Sequence, residues 1–208
     1  GSHTVLTVFP GRELANNYSL NTVDICPVGA LTSNDFRFQM RVWFMKETKT
    51  IDPNCATGCN ITVFSREEKI YRITPRQNND VNSDWMPDSH RLSYQWIESE
   101  SRLTEPLVRD GDKHRQATWQ EALATTAVKL SGLSGGEIAI IASARMTNEE
   151  LLMTNRLVKH LDAGHVDTVP RSGEADGCLI SADRNPNTNG VKLVLGLDDP
   201  GSQLEAIK

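Results

Sequence analysis

The feature that most constrains the fold is an alternation of helix-like and strand-like segments after Pro106. Thr118, followed three residues later by Glu121, predicts a capping box at the start of a helix. The apolar residues that follow repeat at helical spacing on one face: Trp119, Ala122, Leu123, Ala127 and Leu130. Gly135-Gly136 then introduces an apolar run, 138–142, which is typical of a short buried strand. This order of elements predicts an α/β layer with a parallel sheet.

A second helix is predicted after the apolar run. Thr147 and Glu150 form its capping box, and the residues expected to be buried are Leu152, Leu157, Val158 and Leu161. Strand-like segments at 178–181, with Cys178 as a core residue, and at 191–195 complete the layer. The predicted fold class is α/β, in which a small irregular β-rich N-terminal part precedes an open parallel α/β layer.

The N-terminal part shows weaker patterns. Thr4–Phe9 alternates apolar residues with threonines and predicts a strand that ends at the Pro10-Gly11 turn. The segment 41–46 is also strand-like, and 61–65 is predicted to pair with 69–74 as a hairpin. Polar, turn-forming residues over 77–90 predict a surface loop.

Composition narrows the classes of function. The 208 residues carry a net charge of −5 without a basic stripe, so nucleic acid is not expected as a partner. The apolar runs are too short to cross a bilayer, so direct membrane insertion is not expected. Four separated cysteines do not resemble a disulfide framework and favour a reducing cytoplasm. The chain begins without methionine and ends at Lys208 in an apparent first helical turn, so we expect it to be a piece of a longer protein.

The most specific local motif is Asp24-Ile25-Cys26-Pro27-Val28-Gly29-Ala30-Leu31. In bacterial ferredoxins the fourth cluster cysteine precedes a proline in this way, and the turn brings backbone N–H groups near sulfur. The motif indicates that Cys26 is a thiolate ligand of a [4Fe-4S] cluster. The alternative is a buried, inert cysteine.

The longer stretch 9–44 resembles the large iron-sulfur subunit of bacterial respiratory NADH-quinone oxidoreductase (complex I), and the resemblance resumes at 102–107, 119–122, 143–150 and 182–190. It implies that Cys26 completes a [4Fe-4S] cluster with three cysteines spaced C-x2-C-x2-C, which this sequence does not contain. We therefore expect that this chain alone cannot hold a complete cluster.

The resemblance also implies a second cluster motif, C-x2-C-x3-C with a fourth cysteine further along. Cys55 and Cys59 keep its second and third positions, whereas Asp52 and Pro87 stand at the first and fourth. We expect this site to have lost its cluster, leaving two reduced cysteines packed beneath a loop. The alternatives are a zinc ion held by Cys55, Cys59 and His90, with Asp52 and Asp88 nearby, and a Cys55–Cys59 disulfide.

The resemblance implies three regions. Residues 1–46 correspond to the end of a ferredoxin-like [4Fe-4S] domain, 47–103 to a degenerate 4Fe-4S domain of the molybdenum/tungsten pterin type, and 104–208 to the start of a molybdopterin-oxidoreductase-like domain. It further implies electron transfer from NADH and flavin toward quinone, with no active site complete in this chain. Other peripheral-arm subunits are the expected partners, on the cytoplasmic side and peripheral to the inner membrane.

Two alternatives belong to other classes of function. A molybdopterin-dependent oxidoreductase resembling formate dehydrogenase would place a pterin near the Pro186–Gly190 loop, although such a loop is also an ordinary connection between strands. The second alternative is a stand-alone interaction domain. Asp52 and Pro87 at cysteine positions argue against the molybdenum enzyme.

Overall fold

The computed structural model describes residues 1–205 and 207. They form two compact units. The first unit comprises residues 1–94 together with 174–182, and the second comprises 95–173 together with the chain from 183 onward. Within the described residues, no helix combines the length and the apolar character needed to span a membrane.

The first unit contains a three-stranded antiparallel sheet in the order β1 (Lys46–Ile51), β2 (Asn60–Arg66) and β3 (Lys69–Pro75). The predicted hairpin is confirmed, with Val63 opposite Ile73. Glu67 and Glu68 form its tight turn and both have positive φ, 51° and 66°. β1 is an edge strand whose six side chains are all exposed. It therefore lacks the apolar alternation that marks half-buried strands.

Two apolar clusters form the core of this unit. Ile61, Ile73 and Met86 pack together, partly covered by Val63, Ile70 and Tyr94. The second cluster contains Cys55, Cys59 and Leu179, with Tyr18 against it. The predicted strand at 178–181 is wrong, and Cys178 is exposed rather than part of the core. The Asp176 side chain accepts hydrogen bonds from the Cys178 and Ile180 amides, and this curls the backbone into a loop.

The N-terminal stretch is irregular apart from the short helix α1 (Asn21–Asp24). The predicted strand Thr4–Phe9 is wrong, because no described segment pairs with it and its apolar side chains remain exposed. The Pro10-Gly11 turn is confirmed by a hydrogen bond from the Arg12 amide to the Phe9 carbonyl, 2.9 Å. The predicted strand at 41–46 is also wrong, since Val42–Phe44 is a 3-10 turn and β1 begins only at Lys46.

The interval between β3 and the second unit is mostly loop, as predicted, but it is not confined to the surface, because Asn82, Met86 and Pro87 are buried. It contains the four-residue helix α2 (Asp88–Arg91), followed by a 3-10 segment at Ser93–Glu98. A bridge between Asn78 and Ser83 closes a compact turn earlier in the loop.

The second unit opens with an exposed hairpin that the sequence did not reveal, β4 (Leu107–Asp110) with β5 (Lys113–Gln116). The predicted alternation follows with α3 (Trp119–Leu130), β6 (Ala139–Ala142) and α4 (Asn148–Leu161). The next strand, β7 (His165–Thr168), was not predicted. β6 and β7 pair in parallel, with Ala139 opposite His165. The α/β class and the parallel pairing are thus confirmed.

The predicted capping box is confirmed in full at α4 and in part at α3. Thr147 and Glu150 make the full capping box of α4. At α3 the Thr118 hydroxyl accepts a hydrogen bond from the Glu121 amide, 3.2 Å, but the Glu121 carboxylate pairs with Arg115 instead of closing the box.

The predicted buried faces of these helices are largely wrong. No residue of α3 is buried, and Leu123 is 63% exposed. In α4 the fully buried residue is Leu151, whereas Leu152 and Leu157 are 46% and 48% exposed.

The predicted strand at 191–195 is wrong. The chain forms the short helix α5 (Thr188–Gly190), which runs into a wide π-helical turn at Val191–Leu195. Val191 is buried with Ala144 and Leu151, so its apolar character serves a helical turn and not a sheet. The predicted helical turn that would contain Lys208 lies partly outside the described residues.

Candidate metal centres

Cys26 follows α1 and begins the turn predicted to hold a cluster ligand. Its side chain is half-buried, and Gly29 has a positive φ of 64° that bends the chain back around the sulfur. The backbone amides of Leu31 and Val28, then those of Ala30 and Gly29, hold the pKa of the Cys26 thiol below its usual value. Amides directed at the sulfur favour the thiolate, which is the form that ligates iron.

Three polar contacts fix α1 against the 86–91 segment. Asn21 is 1% exposed and pairs with the Met86 backbone in both directions, through its Oδ1 (3.0 Å) and its Nδ2 (2.8 Å). Arg91 donates two hydrogen bonds to Asp24, two residues before Cys26. Asp88 accepts one from the Leu20 amide at 3.1 Å. The segment predicted as surface loop therefore positions the Cys26 turn.

The loop joining β1 to β2 carries the other two buried cysteines. Cys55 and Cys59 are 1% and 0% exposed, and their sulfurs lie 3.1 Å apart as free thiols. Backbone hydrogen bonds tighten the loop: the Asp52 amide donates to the Cys59 carbonyl at 2.9 Å, and the Cys55 amide donates to the Asp52 carbonyl at 3.3 Å. Both thiols therefore lie buried against this loop.

His90, from α2, reaches this loop. Its Nδ1 lies 3.2 Å from the Asp52 carboxylate, and the Asp52 side chain is 3% exposed. Burial opposes protonation of His90, but the Asp52 carboxylate and the Cys55 sulfur outweigh it and raise the pKa of the imidazole to about 9. The hydrogen bond with Cys59, with help from His90, lowers the pKa of Cys55 to about 4, and the same sharing raises the pKa of Cys59.

Pro87 lies immediately before α2, and its side chain is fully buried. A proline ring has no atom that can ligate iron, and Asp52 supplies oxygen where the motif has sulfur. This loop supplies two thiols, Cys55 and Cys59, whereas a [4Fe-4S] cluster normally has four thiolate ligands. The residues present therefore do not fit a [4Fe-4S] cluster at this position.

Residues 174–182 cover the two cysteines, a feature that sequence reasoning missed. Leu179 packs on Cys55 and Cys59, and its carbonyl accepts a hydrogen bond from the Thr57 hydroxyl at 2.8 Å. The Tyr18 hydroxyl donates to Asp176 at 2.5 Å and accepts from the Leu179 amide at 3.2 Å. No local motif could have indicated this closure, because the partners are far apart in sequence.

The Pro186–Gly190 loop caps helices in the second unit. The Asn187 amide nitrogen donates to the Met146 carbonyl (2.8 Å) and to Asn148 (3.0 Å), while its oxygen accepts from the Gly190 amide. A side chain at Gly190 would clash with Asn148 and Asn187. The polar groups of Asn187 thus serve the fold, and the loop is not the strand connection that was predicted.

Three family models match successive parts of the chain. One describes the ferredoxin-like domain of NADH-quinone oxidoreductase subunit 3 and matches residues 1–32. The second describes the 4Fe-4S domain of NADH-ubiquinone oxidoreductase NDSU1/NuoG-like proteins and matches 45–95. The third, molybdopterin oxidoreductase, matches 102–191. The order of the three models defines an iron-sulfur oxidoreductase subunit.

Three relatives that match most of the chain are named as subunits of NADH-ubiquinone or NADH-quinone oxidoreductase. The mitochondrial NADH-ubiquinone oxidoreductase 78 kDa subunit of Candida albicans is 39% identical over 85% of this chain and 25% of its own length. A NADH-quinone oxidoreductase subunit of Rickettsia felis is 36% identical over 79% and 24%. Subunit 3 of the enzyme from Thermus thermophilus is 37% identical over 74% and 20%. The chain belongs to the family of large iron-sulfur subunits of NADH-quinone oxidoreductase, and it spans a fifth to a quarter of the length of these relatives.

Proposed function

We propose that this chain is part of the electron-transfer subunit of an NADH-quinone oxidoreductase, in which Cys26 supplies one thiolate to a [4Fe-4S] cluster. The observation that carries the proposal is the tight Cys26-Pro27 turn, with Gly29 at positive φ and backbone amides that lower the pKa of the thiol, within the region that matches the family model. When bound, such a cluster accepts and releases single electrons on the route from NADH and flavin toward quinone. This chain holds one ligand, orients its sulfur and supplies N–H groups that stabilise negative charge there.

The remainder of the chain is proposed to act as scaffold, divided at 1–46, 47–103 and 104–208. The 86–91 segment supports this role through its contacts with α1, and the occupied polar groups of Asn187 support a second unit that binds no pterin. Its partners are proposed to be other peripheral-arm subunits, with the complex on the cytoplasmic side and peripheral to the inner membrane. The relatives' names favour this assignment over a molybdenum enzyme.

The test uses the full-length subunit within its complex. Cys26→Ser should lower both cluster content and NADH-to-quinone turnover, because a hydroxyl is a poorer iron ligand than a thiolate. Cys178→Ser is the matched control, since the Cys178 side chain is exposed and is not among the proposed ligands of either site. Unchanged turnover and unchanged cluster spectra in an assembled Cys26→Ser complex would refute the role of Cys26.

Two further measurements separate the alternatives. The chain alone, treated anaerobically with iron and sulfide, should take up no stoichiometric cluster, and about four irons per chain would contradict this. Elemental analysis of the full-length subunit should give neither molybdenum nor tungsten, and a near-stoichiometric amount of either would favour the pterin enzyme.

A further inference from the structure

The loop that does not fit an iron-sulfur cluster brings four other ligand atoms together. Asp52, Cys55 and His90 each place one ligand atom within 4.8 Å of the other two. The Cys59 sulfur lies 3.1 Å from that of Cys55. Three of these residues come from the β1–β2 loop and the fourth from α2, so the set is held by two elements of one compact unit.

The Asp52 carboxylate and the His90 imidazole are largely buried, and the hydrogen bond between them is poorly aligned. The Asp52 Oδ1 accepts a hydrogen bond from the Asn54 amide at 2.9 Å, but its Oδ2 faces His90 Nδ1 without a well-aligned hydrogen bond to any described residue. Only 3% of the Asp52 side chain is exposed, so bulk solvent does not reach this oxygen. A zinc ion could replace this imperfectly aligned pair by ligating both the carboxylate and the neutral imidazole.

The chemistry of the donors selects among cations. Two sulfurs, one imidazole nitrogen and one carboxylate oxygen are the donors of tetrahedral zinc sites, whereas calcium and magnesium take oxygen. With zinc–ligand bonds of about 2.0 to 2.3 Å, ligand atoms in a tetrahedron lie roughly 3.3 to 3.8 Å apart. The Asp52–His90 separation of 3.2 Å is close to these values, and the ligand atoms of Asp52, Cys55 and His90 all lie within 4.8 Å of one another. The two sulfurs, 3.1 Å apart, would have to separate to about 3.8 Å to bind the same ion.

We propose that Asp52, Cys55, Cys59 and His90 bind one zinc ion. Four protein ligands would close the coordination sphere, which is the arrangement of structural and not catalytic zinc. Zinc does not change its oxidation state, so the site would brace the β1–β2 loop against α2 without carrying electrons. The proposal is independent of the role assigned to Cys26.

Metal content tests the proposal directly. The chain, prepared with a reductant that does not chelate metals, is given zinc, dialysed and analysed by mass spectrometry of the elements. About one zinc per chain is expected, together with protection of Cys55 and Cys59, but not Cys178, from alkylation. Zinc far below one per chain, unprotected thiols, or a Cys55–Cys59 disulfide under these conditions would overturn the proposal.

Variants separate ligation from simple misfolding. Cys55→Ser and His90→Gln should weaken zinc affinity on the order of 100-fold or more, whereas Cys178→Ser should not change it. Asp52→Cys should tighten binding, because it converts the set to three sulfurs and one imidazole, and a purely structural role for Asp52 predicts no such gain. Cobalt substitution should give the visible spectrum of a tetrahedral thiolate site in the wild type. Unaltered zinc affinity in folded Cys55→Ser, or binding no tighter than that of the wild type in folded Asp52→Cys, would refute the assigned ligands.

Discussion

Replacing Arg91 by methionine should destabilise the part of the first unit that carries Cys26. The Arg91 side chain is 7% exposed and that of Asp24 is 21% exposed, and their two hydrogen bonds measure 3.2 and 2.5 Å. Arg91 also donates to the Asn21 side chain at 3.3 Å and to the Ile73 carbonyl at 3.5 Å. Arg91→Met therefore leaves a partly buried carboxylate without its cation.

The expected cost follows from that burial. Removing one partner of a fully buried pair costs about 3 to 5 kcal/mol, because the other charge remains uncompensated. Water reaches one fifth of Asp24, so the lower end of this range, about 3 kcal/mol, is expected. Local opening of the segments 20–26 and 86–92 should then be on the order of 100-fold more frequent. Hydrogen exchange of the peptides from these segments, read by mass spectrometry, measures this ratio.

Two controls make the result specific. Adding Asp24→Asn to Arg91→Met should restore part of the lost protection, since no charge is then left unpaired. Arg115→Met breaks the exposed pair with Glu121 and should leave exchange nearly unchanged. The stabilising role of the Arg91–Asp24 pair would be refuted if the amides of Arg91→Met exchanged at the wild-type rate. It would also be refuted if the double variant lost as much protection as Arg91→Met and Asp24→Asn lose together.

Predictions for the second unit concern two buried groups. Asp167 is fully buried, and burial alone would raise the pKa of its carboxyl group. Hydrogen bonds from the amides of Gly201, Thr168 and Gln203 outweigh burial and hold this pKa below its usual value. Asp167→Asn should therefore lower the free energy of unfolding by about 1.5 to 3 kcal/mol at neutral pH. This deficit should shrink as the pH falls below about 4, where the wild type loses the same contribution. Urea titrations at several pH values measure it, and a deficit independent of pH would contradict the assignment. Leu151→Ala should lower the free energy of unfolding by about 2 to 5 kcal/mol, because Leu151 is fully buried. Leu157→Ala, at a half-exposed site, should lower it by less than about 1 kcal/mol. Equal costs in thermal unfolding would show that burial does not separate them.

Sequence patterns predicted elements whose stabilising partners lie nearby in the chain. The capping residue Thr147 and its partner Glu150 are separated by three positions, and the 61–74 hairpin closes on itself. Both were therefore found from local signals. The same reasoning failed at Thr4–Phe9 and at 191–195, because strand-like composition becomes a strand only where another strand pairs with it.

The residues of the candidate sites were likewise predicted only where the signal lies within a short stretch of sequence. Cys26 could be proposed as a ligand from sequence because its turn is local and the amides that lower its pKa come from the next five residues. His90 was considered only as an alternative ligand, because its approach to Asp52 depends on how α2 packs, which no spacing rule specifies. The supports at Asn21, Arg91 and Leu179 were missed, since each acts across a long interval of sequence.

The cover over the two buried cysteines also sets an order of events during synthesis. Leu179 lies 122 residues after Thr57, its hydrogen-bonding partner, so the chain must be translated for roughly 6 to 24 s before the cover can arrive. Until then Cys55 and Cys59 belong to a nascent segment that reagents and ions can reach. Alkylation of ribosome-bound chains halted before and after residue 179 would measure the change, and equal labelling of both would contradict it. The cover can therefore limit access to these thiols only after residue 179 has been made, and zinc added to the finished chain must enter when the cover opens.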